Sequence, residues 1–172
     1  MSKKVAVLIT DLFEDIEYTD PAKNLQDAGH ELVTIEKEAG NKVTGKKNDT
    51  TVTIDKGIDQ VKPEQFDALL LPGGFSPDIL RGDDRFVDFT KAFADAGKPI
   101  MAICHGPQLL INADVLKGRT VTGVKPIVPD LKNAGANFKD EEVVVCQGNL
   151  VTSRTPDDLP AFNRESLKVL EG

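Results

Sequence analysis

Cys104 and His105 stand side by side in IMAICHGPQLL, residues 100–110, in a chain that has only two cysteines and two histidines. The apolar run before the pair has the character of a buried strand. The pattern after it suits a helix, so the pair falls at a strand-to-helix turn. Such a turn holds a nucleophile exposed above a sheet and leaves the next backbone N–H free to bind an oxyanion. Here that N–H belongs to His105. Gly106 lets the backbone approach closely, and Pro107 suits the first turn of a helix. A helix N-terminus favours a thiolate and predicts a lowered cysteine pKa. The His105 ring can serve as general base, stabilise the thiolate or face solvent, and sequence leaves these roles open.

Two further groups can join the cysteine. Gly73-Gly74 closes DALLLPGG, and Gly74 can supply a second N–H to an oxyanion. TDLFEDIEY, residues 10–18, carries Asp11, Glu14, Asp15 and Glu17. A carboxyl buried beside the sulfur would stay protonated and donate a hydrogen bond to it. Spacing alone does not choose among the four acids. Cys146, after VVV and with no acid or histidine motif around it, reads as structural, as does His30. Two cysteines and two histidines, dispersed, give no metal-ligand spacing, so no metal is expected.

The elements that must position these groups follow from the apolar pattern. VAVLIT (5–10), ELVTIE (31–36), FDALLLPGG (66–74) and PIMAIC (99–104) read as strands, the first as a buried parallel one. Asp20-Pro21 predicts a helix N-terminus, with that helix ending near Ala28. Asp84–Ala96 has apolar residues at helical spacing and Gly97 as its stop. GNKVTGKKNDTTVTID predicts a small hairpin off the main sheet, and LKGRTVTG a short strand. IVPDLKNAGA reads as a short helix. EVVVCQ and NLVTSR around Gly148-Asn149 predict a second hairpin, and DDLPAFNRESLKVLEG a C-terminal helix. Strands alternating with helices give an α/β sandwich around a mainly parallel sheet. In such sheets ligands bind beyond the carboxyl ends of the strands, where all three chemical groups fall.

Composition bounds the function. The 172 residues fit one domain, 1–172, with a single sizeable core. The net charge of −7 and the lack of a basic stripe argue against nucleic acid or anionic lipid as a partner. No apolar run reaches membrane-span length, no signal-peptide pattern opens the chain, and a cytoplasmic setting with free thiols is expected. The absence of a glycine-rich phosphate loop after the first strand argues against a nucleotide cofactor.

AICHGPQLL, DALLLPGG, the FED loop and the late VTSRTPDDL, in this order, resemble the ThiJ/PfpI family of the class-I glutamine-amidotransferase-like superfamily, in particular its bacterial general stress proteins. The resemblance covers roughly Lys4 to Leu170. It implies a flavodoxin-like three-layer sandwich with a nucleophile elbow. It also implies Cys104 as nucleophile, Glu14 as the acid on the cysteine sulfur, and the N–H groups of Gly74 and His105 as the oxyanion hole. Asp78 matches an acid that orients the histidine from a neighbouring subunit, so a dimer or hexamer is implied. Many relatives have glutamate at the position of Asp78, and an Asn-Glu pair where this chain has Asp11-Leu12. The implied activity is cofactor-free stress protection against reactive aldehydes or glycated groups, of glyoxalase III or deglycase type. A cysteine peptidase is the alternative enzyme, and a redox sensor or stress chaperone acting through oxidation of Cys104 is the alternative of another class.

Overall fold

The computed structural model describes residues 1–172. In chain order the elements are β1 (Lys4–Leu8), α1 (Asp15–Asp27), β2 (Glu31–Glu36), β3 (Lys42–Thr44), β4 (Thr51–Thr53), β5 (Lys56–Gly57), β6 (Ala68–Leu71), α2 (Ser76–Leu80), α3 (Asp84–Asp95), β7 (Ile100–Ile103), α4 (Gln108–Asn112), β8 (Thr120–Val121), α5 (Val128–Asn133), β9 (Asn137–Phe138), β10 (Val144–Cys146), β11 (Leu150–Ser153) and α6 (Leu159–Glu171). Seven strands form the main sheet in the order β10-β11-β7-β6-β1-β2-β5, and only β10 runs antiparallel to its neighbour. The predicted hairpin of residues 40–55 forms as β3 and β4, outside that sheet. The stretch 116–123 contributes only β8, which pairs with β9 in a separate two-stranded sheet.

Val5 to Ile9 are all buried because β1 is central and both of its faces are covered. The alternation of side chains divides them. Val5, Val7 and Ile9 pack with Leu25, Phe162 and Leu170 of α1 and α6. Ala6 and Leu8 face Phe86, Phe89, Phe93 and Leu109 of α3 and α4. This makes the three-layer α/β sandwich, with one apolar core on each side of the sheet. No helix is long and apolar enough to cross a membrane.

One boundary differs from the sequence reading in a way that matters. The first helix does not begin at Asp20-Pro21. It begins at Asp15, and Pro21 lies inside it. Pro21 has no N–H to donate to the carbonyl of Glu17, a defect that costs about 3 kcal/mol in a free helix interior. The earlier start is fixed by tertiary contacts: Glu14 N–H donates to the carbonyl of Gly73, and Asp15 places negative charge in the first turn, where the helix dipole favours it. Buried Ala22 and Leu25 hold the later turns against the core. The acids read as loop residues are thus partly helical.

Candidate active site around Cys104

The strand order reverses between β1 and β6, because the chain winds from β1 to β2 in one direction and from β6 to β7 in the other. The crevice beyond the carboxyl ends of β7, β6 and β1 is therefore where a ligand site is expected, and the three chemical segments meet there. Cys104 follows β7 with φ of 62°, a left-handed conformation rare for a side chain with a Cβ. Hydrogen bonds on both sides hold it: Cys104 N–H donates to the Ser153 carbonyl, and its own carbonyl accepts from Val124 N–H. Gly106 N–H turns back to the Ile103 carbonyl, and a Cβ at Gly106 would come within 2.5 Å of the Leu71 carbonyl. These contacts make the elbow expected from CHGP.

The N–H groups of His105 and Gly74 both lie near the Cys104 sulfur and favour its charged form. They are the two donors named from sequence. Gly74 can present its N–H because it adopts φ of 78° and bridges Phe13; a Cβ there would lie 2.4 Å from Glu14 N and 2.5 Å from the Leu12 carbonyl. The half-buried His105 ring places Nδ1 3.4 Å from Sγ.

Glu14 is not the acid on the sulfur. Its carboxylate turns the other way and takes two ion pairs, to Lys46 Nζ at 2.6 Å and Lys47 Nζ at 3.3 Å. The acid facing Cys104 is Glu17, whose side chain is fully buried against the thiol and the Gly73 N–H and otherwise lacks hydrogen-bond partners. The reason is the early start of α1. Glu14 is the residue before the helix, whereas Glu17 lies in its first turn, on the side that passes Gly73. Asp11 accepts from Thr44 N–H, and Asp15 accepts from the N–H groups of Lys47, Asp49 and Thr50. Both acids tie down the β3–β4 hairpin. Of the four acidic candidates, one meets the cysteine and three hold its surroundings.

The electrostatics follow the burial. Burial, and then the charge of Glu14, push the Glu17 carboxyl up to about 8, against the opposing pull of Cys104, Lys46 and the Gly73 N–H. Burial and the neighbouring Glu17 push the Cys104 thiol up to about 12, outweighing the two N–H donors. The lowered cysteine pKa expected from a helix N-terminus is not found: α4 has only five residues and begins at Gln108, too short and too far on to offset burial. Glu17 and Cys104 titrate as a pair, and the first proton they lose leaves one negative charge shared between carboxyl and sulfur. The imidazole of His105 is pushed down by burial and by Lys46, with Asp78 opposing. Asp78, in the first turn of α2, thus acts on His105 of its own chain through space, without a hydrogen bond between them.

Lys46 carried no signal in the sequence beyond its place in a lysine-rich turn, yet it lies within electrostatic reach of Cys104, Glu17 and His105. Cys146 lies outside the site, buried, with its sulfur accepting from Arg119 Nε at 3.2 Å and from Thr120 N–H at 3.4 Å. Both cysteines are free thiols.

An elbow cysteine, two converging N–H groups and a neutral buried glutamate agree with a wider comparison. Residues 3–169 match the DJ-1/PfpI family. The chain belongs to that family. It is 68% identical over 170 residues to the Escherichia coli K12 protein named protein/nucleic acid deglycase 2, covering 99% of each chain. It is 64% identical over 171 residues to general stress protein 18 of Bacillus subtilis, again over 99% of each. Among solved structures, a two-domain Anabaena variabilis protein with DJ-1/ThiJ/PfpI-like and ferritin-like domains superposes with a TM-score of 0.95 at 40% identity. That match covers 98% of this chain and 48% of the other. The DJ-1/PfpI architecture therefore accounts for nearly all of the present chain.

Proposed function

We propose that this DJ-1/PfpI member is a cofactor-independent cysteine enzyme that protects against reactive carbonyls, by glyoxalase-like conversion of small 2-oxoaldehydes or by hydrolysis of their adducts on amino groups. The observation that carries the reading is the convergence of the His105 and Gly74 N–H groups on an elbow sulfur that faces Glu17. The similarity to a protein named as a deglycase and to one named as a general stress protein supports the substrate class.

In the reactive form the Glu17–Cys104 pair has lost one proton. The thiolate attacks the aldehyde carbon, the carbonyl π electrons move to oxygen, and the Gly74 and His105 N–H groups beside the sulfur receive the oxyanion. Protonation of that oxygen by Glu17 completes a hemithioacetal. His105, held neutral by burial and by Lys46, removes the C1 proton while the C1 hydroxyl proton passes through the now ionised Glu17 to the C2 oxygen; the imidazolium then returns its proton to C2, leaving C1 as a thioester carbonyl. Water then cleaves the resulting thioester, releasing a 2-hydroxy acid and the thiol. One water is consumed, C1 is oxidised and C2 is reduced within the same molecule, so no external redox partner is needed.

The exposed apolar residues Leu12, Ile16, Phe75 and Ile79 support a homo-oligomer. Leu12 and Phe75 are joined by a backbone hydrogen bond, and Ile79 N–H donates to the Phe75 carbonyl. Phe75 and Ile79 flank Asp78 in sequence, which fits the shared use of Asp78 between copies that the family resemblance implies. The test of function is lactate formation from methylglyoxal without glutathione, measured for the wild type and Cys104→Ser side by side, with hydrolysis of a glycated amino acid as a second assay. Loss of both activities in a variant that melts like the wild type is expected. Undiminished turnover by Cys104→Ser ends the reading.

A further inference from the structure

Lys46 and Lys47 take no part in the bond-making steps above, yet both close on one buried carboxylate, Glu14. Two ammonium groups outnumber the one carboxylate that they share. The cluster is built rather than incidental. Lys46 N–H donates to the Phe13 carbonyl at 2.9 Å, and the turn that carries both lysines is fastened to Asp15 through three N–H bonds. Asp15 is thereby turned onto the backbone of the turn. The Lys46 side chain remains 41% exposed, so solutes can reach it. It also acts through space on Cys104, Glu17 and His105. An exposed cation held within electrostatic reach of a half-buried thiol will favour electrophiles that bring a negative charge with them.

Resting on the reading of Cys104 as nucleophile, we propose that Lys46, anchored by Glu14, is a specificity residue that steers small aldehydes carrying a carboxylate to Cys104 in preference to neutral aldehydes of the same size. Lys47, more exposed and more loosely paired, contributes less.

The test uses two pairs of matched reagents. Iodoacetate and iodoacetamide alkylate the same thiolate and differ chiefly in charge, so the ratio of their rates at Cys104, read by peptide mass, cancels any change in thiolate population. The expected ratio falls roughly tenfold in Lys46→Gln, falls less in Lys47→Gln and is restored in Lys46→Arg. In the wild type it also falls as salt rises to 1 M, where screening acts over about 3 Å. The salt series depends on no variant folding. The second pair is 4,5-dioxopentanoate and neutral 2-oxopentanal. The wild type is expected to favour the anion in kcat/KM, and Lys46→Gln to lose that preference. An alkylation ratio unchanged by Lys46→Gln and by salt overturns the proposal, whatever the turnover. A salt- and Lys46-dependent ratio with turnover of neither aldehyde refutes the catalytic reading and leaves the steering by Lys46 intact. Failure of both reagents to reach Cys104 overturns both.

Discussion

Replacing Glu17 by glutamine removes one titration from the folded protein and leaves the side-chain volume nearly unchanged. The unfolded carboxyl has its ordinary value of 4.5, and the folded one is raised to about 8, first by burial and then by Glu14. A raised folded value means the native state holds the proton more tightly than the unfolded chain. The associated stability is complete below pH 4.5 and is lost as pH rises through about 8. Integrating the linkage relation from pH 6 to pH 9 gives a loss of roughly 2–3 kcal/mol in the wild type that Glu17→Gln does not share. For a chain of this size that corresponds to a relative shift in Tm of roughly 5–10 °C. The assay is a pair of thermal or urea melts at half-unit pH steps. A constant offset between the curves reports only the fit of the amide, so the difference in slope carries the result. Parallel profiles across pH 6–9 would refute the assignment of Glu17 as the buried, neutral acid on Cys104.

The glycines beside the site give sharper structural tests. Gly73→Ala places a Cβ 2.4 Å from Glu17 Oε1 and 2.9 Å from Cys104 Cβ, so alkylation of Cys104 by iodoacetamide should slow roughly tenfold or more, as read by mass spectrometry. Gly74→Ala adds a left-handed φ of 78° to clashes with backbone, and a melt should show a loss of about 2 kcal/mol or more. Asp15 is pulled up by burial, but the N–H groups of Lys47, Thr50 and Asp49 outweigh this and hold it below 3.8. The clamp it makes is therefore complete above pH 3.8 and fails as pH falls through the lower folded value. Limited proteolysis within residues 45–50 should be slow at pH 7 in the wild type and fast at the same pH in Asp15→Asn.

The parallel sheet was legible because β1, β6 and β7 are buried on both faces and so read as unbroken apolar runs. The elbow was legible because Cys-His-Gly-Pro combines a nucleophile with a permissive backbone and a helix start. Among the acids of TDLFEDIEY the residues themselves leave all four open and the family resemblance implies Glu14; the structure sets Glu17 on the sulfur instead, because the helix starts earlier than its local signal. Asp20-Pro21 is a strong local helix start, but the hydrogen bond from Glu14 to Gly73 and the buried flank of α1 override it. Moving the start of the helix to Asp15 gives the cysteine to Glu17 and leaves Glu14 to the lysines. Lys46 was invisible for a different reason. Its place on Glu14 depends on a hairpin turn fastened to Asp15, a contact between residues more than thirty apart in sequence.

The same strand order that gathers the site also sets when it can exist during folding. β1 lies between β2 and β6, and Cys104 follows β7, so the pocket needs β1, β6 and β7 aligned, with the elbow fixed further by β11 through the Ser153 carbonyl. A nascent chain released before residue 153 would carry Cys104, Glu17, Gly74 and His105 without the bond that fixes the elbow. In refolding, protection of the Cys104 thiol from a fast alkylating pulse should therefore arrive with the slow pairing of distant strands, after helical signal has recovered. Cys104 becomes a clock for the last step of assembly, and a chain trapped short of it would leave that thiol open to every neighbouring disulfide and electrophile.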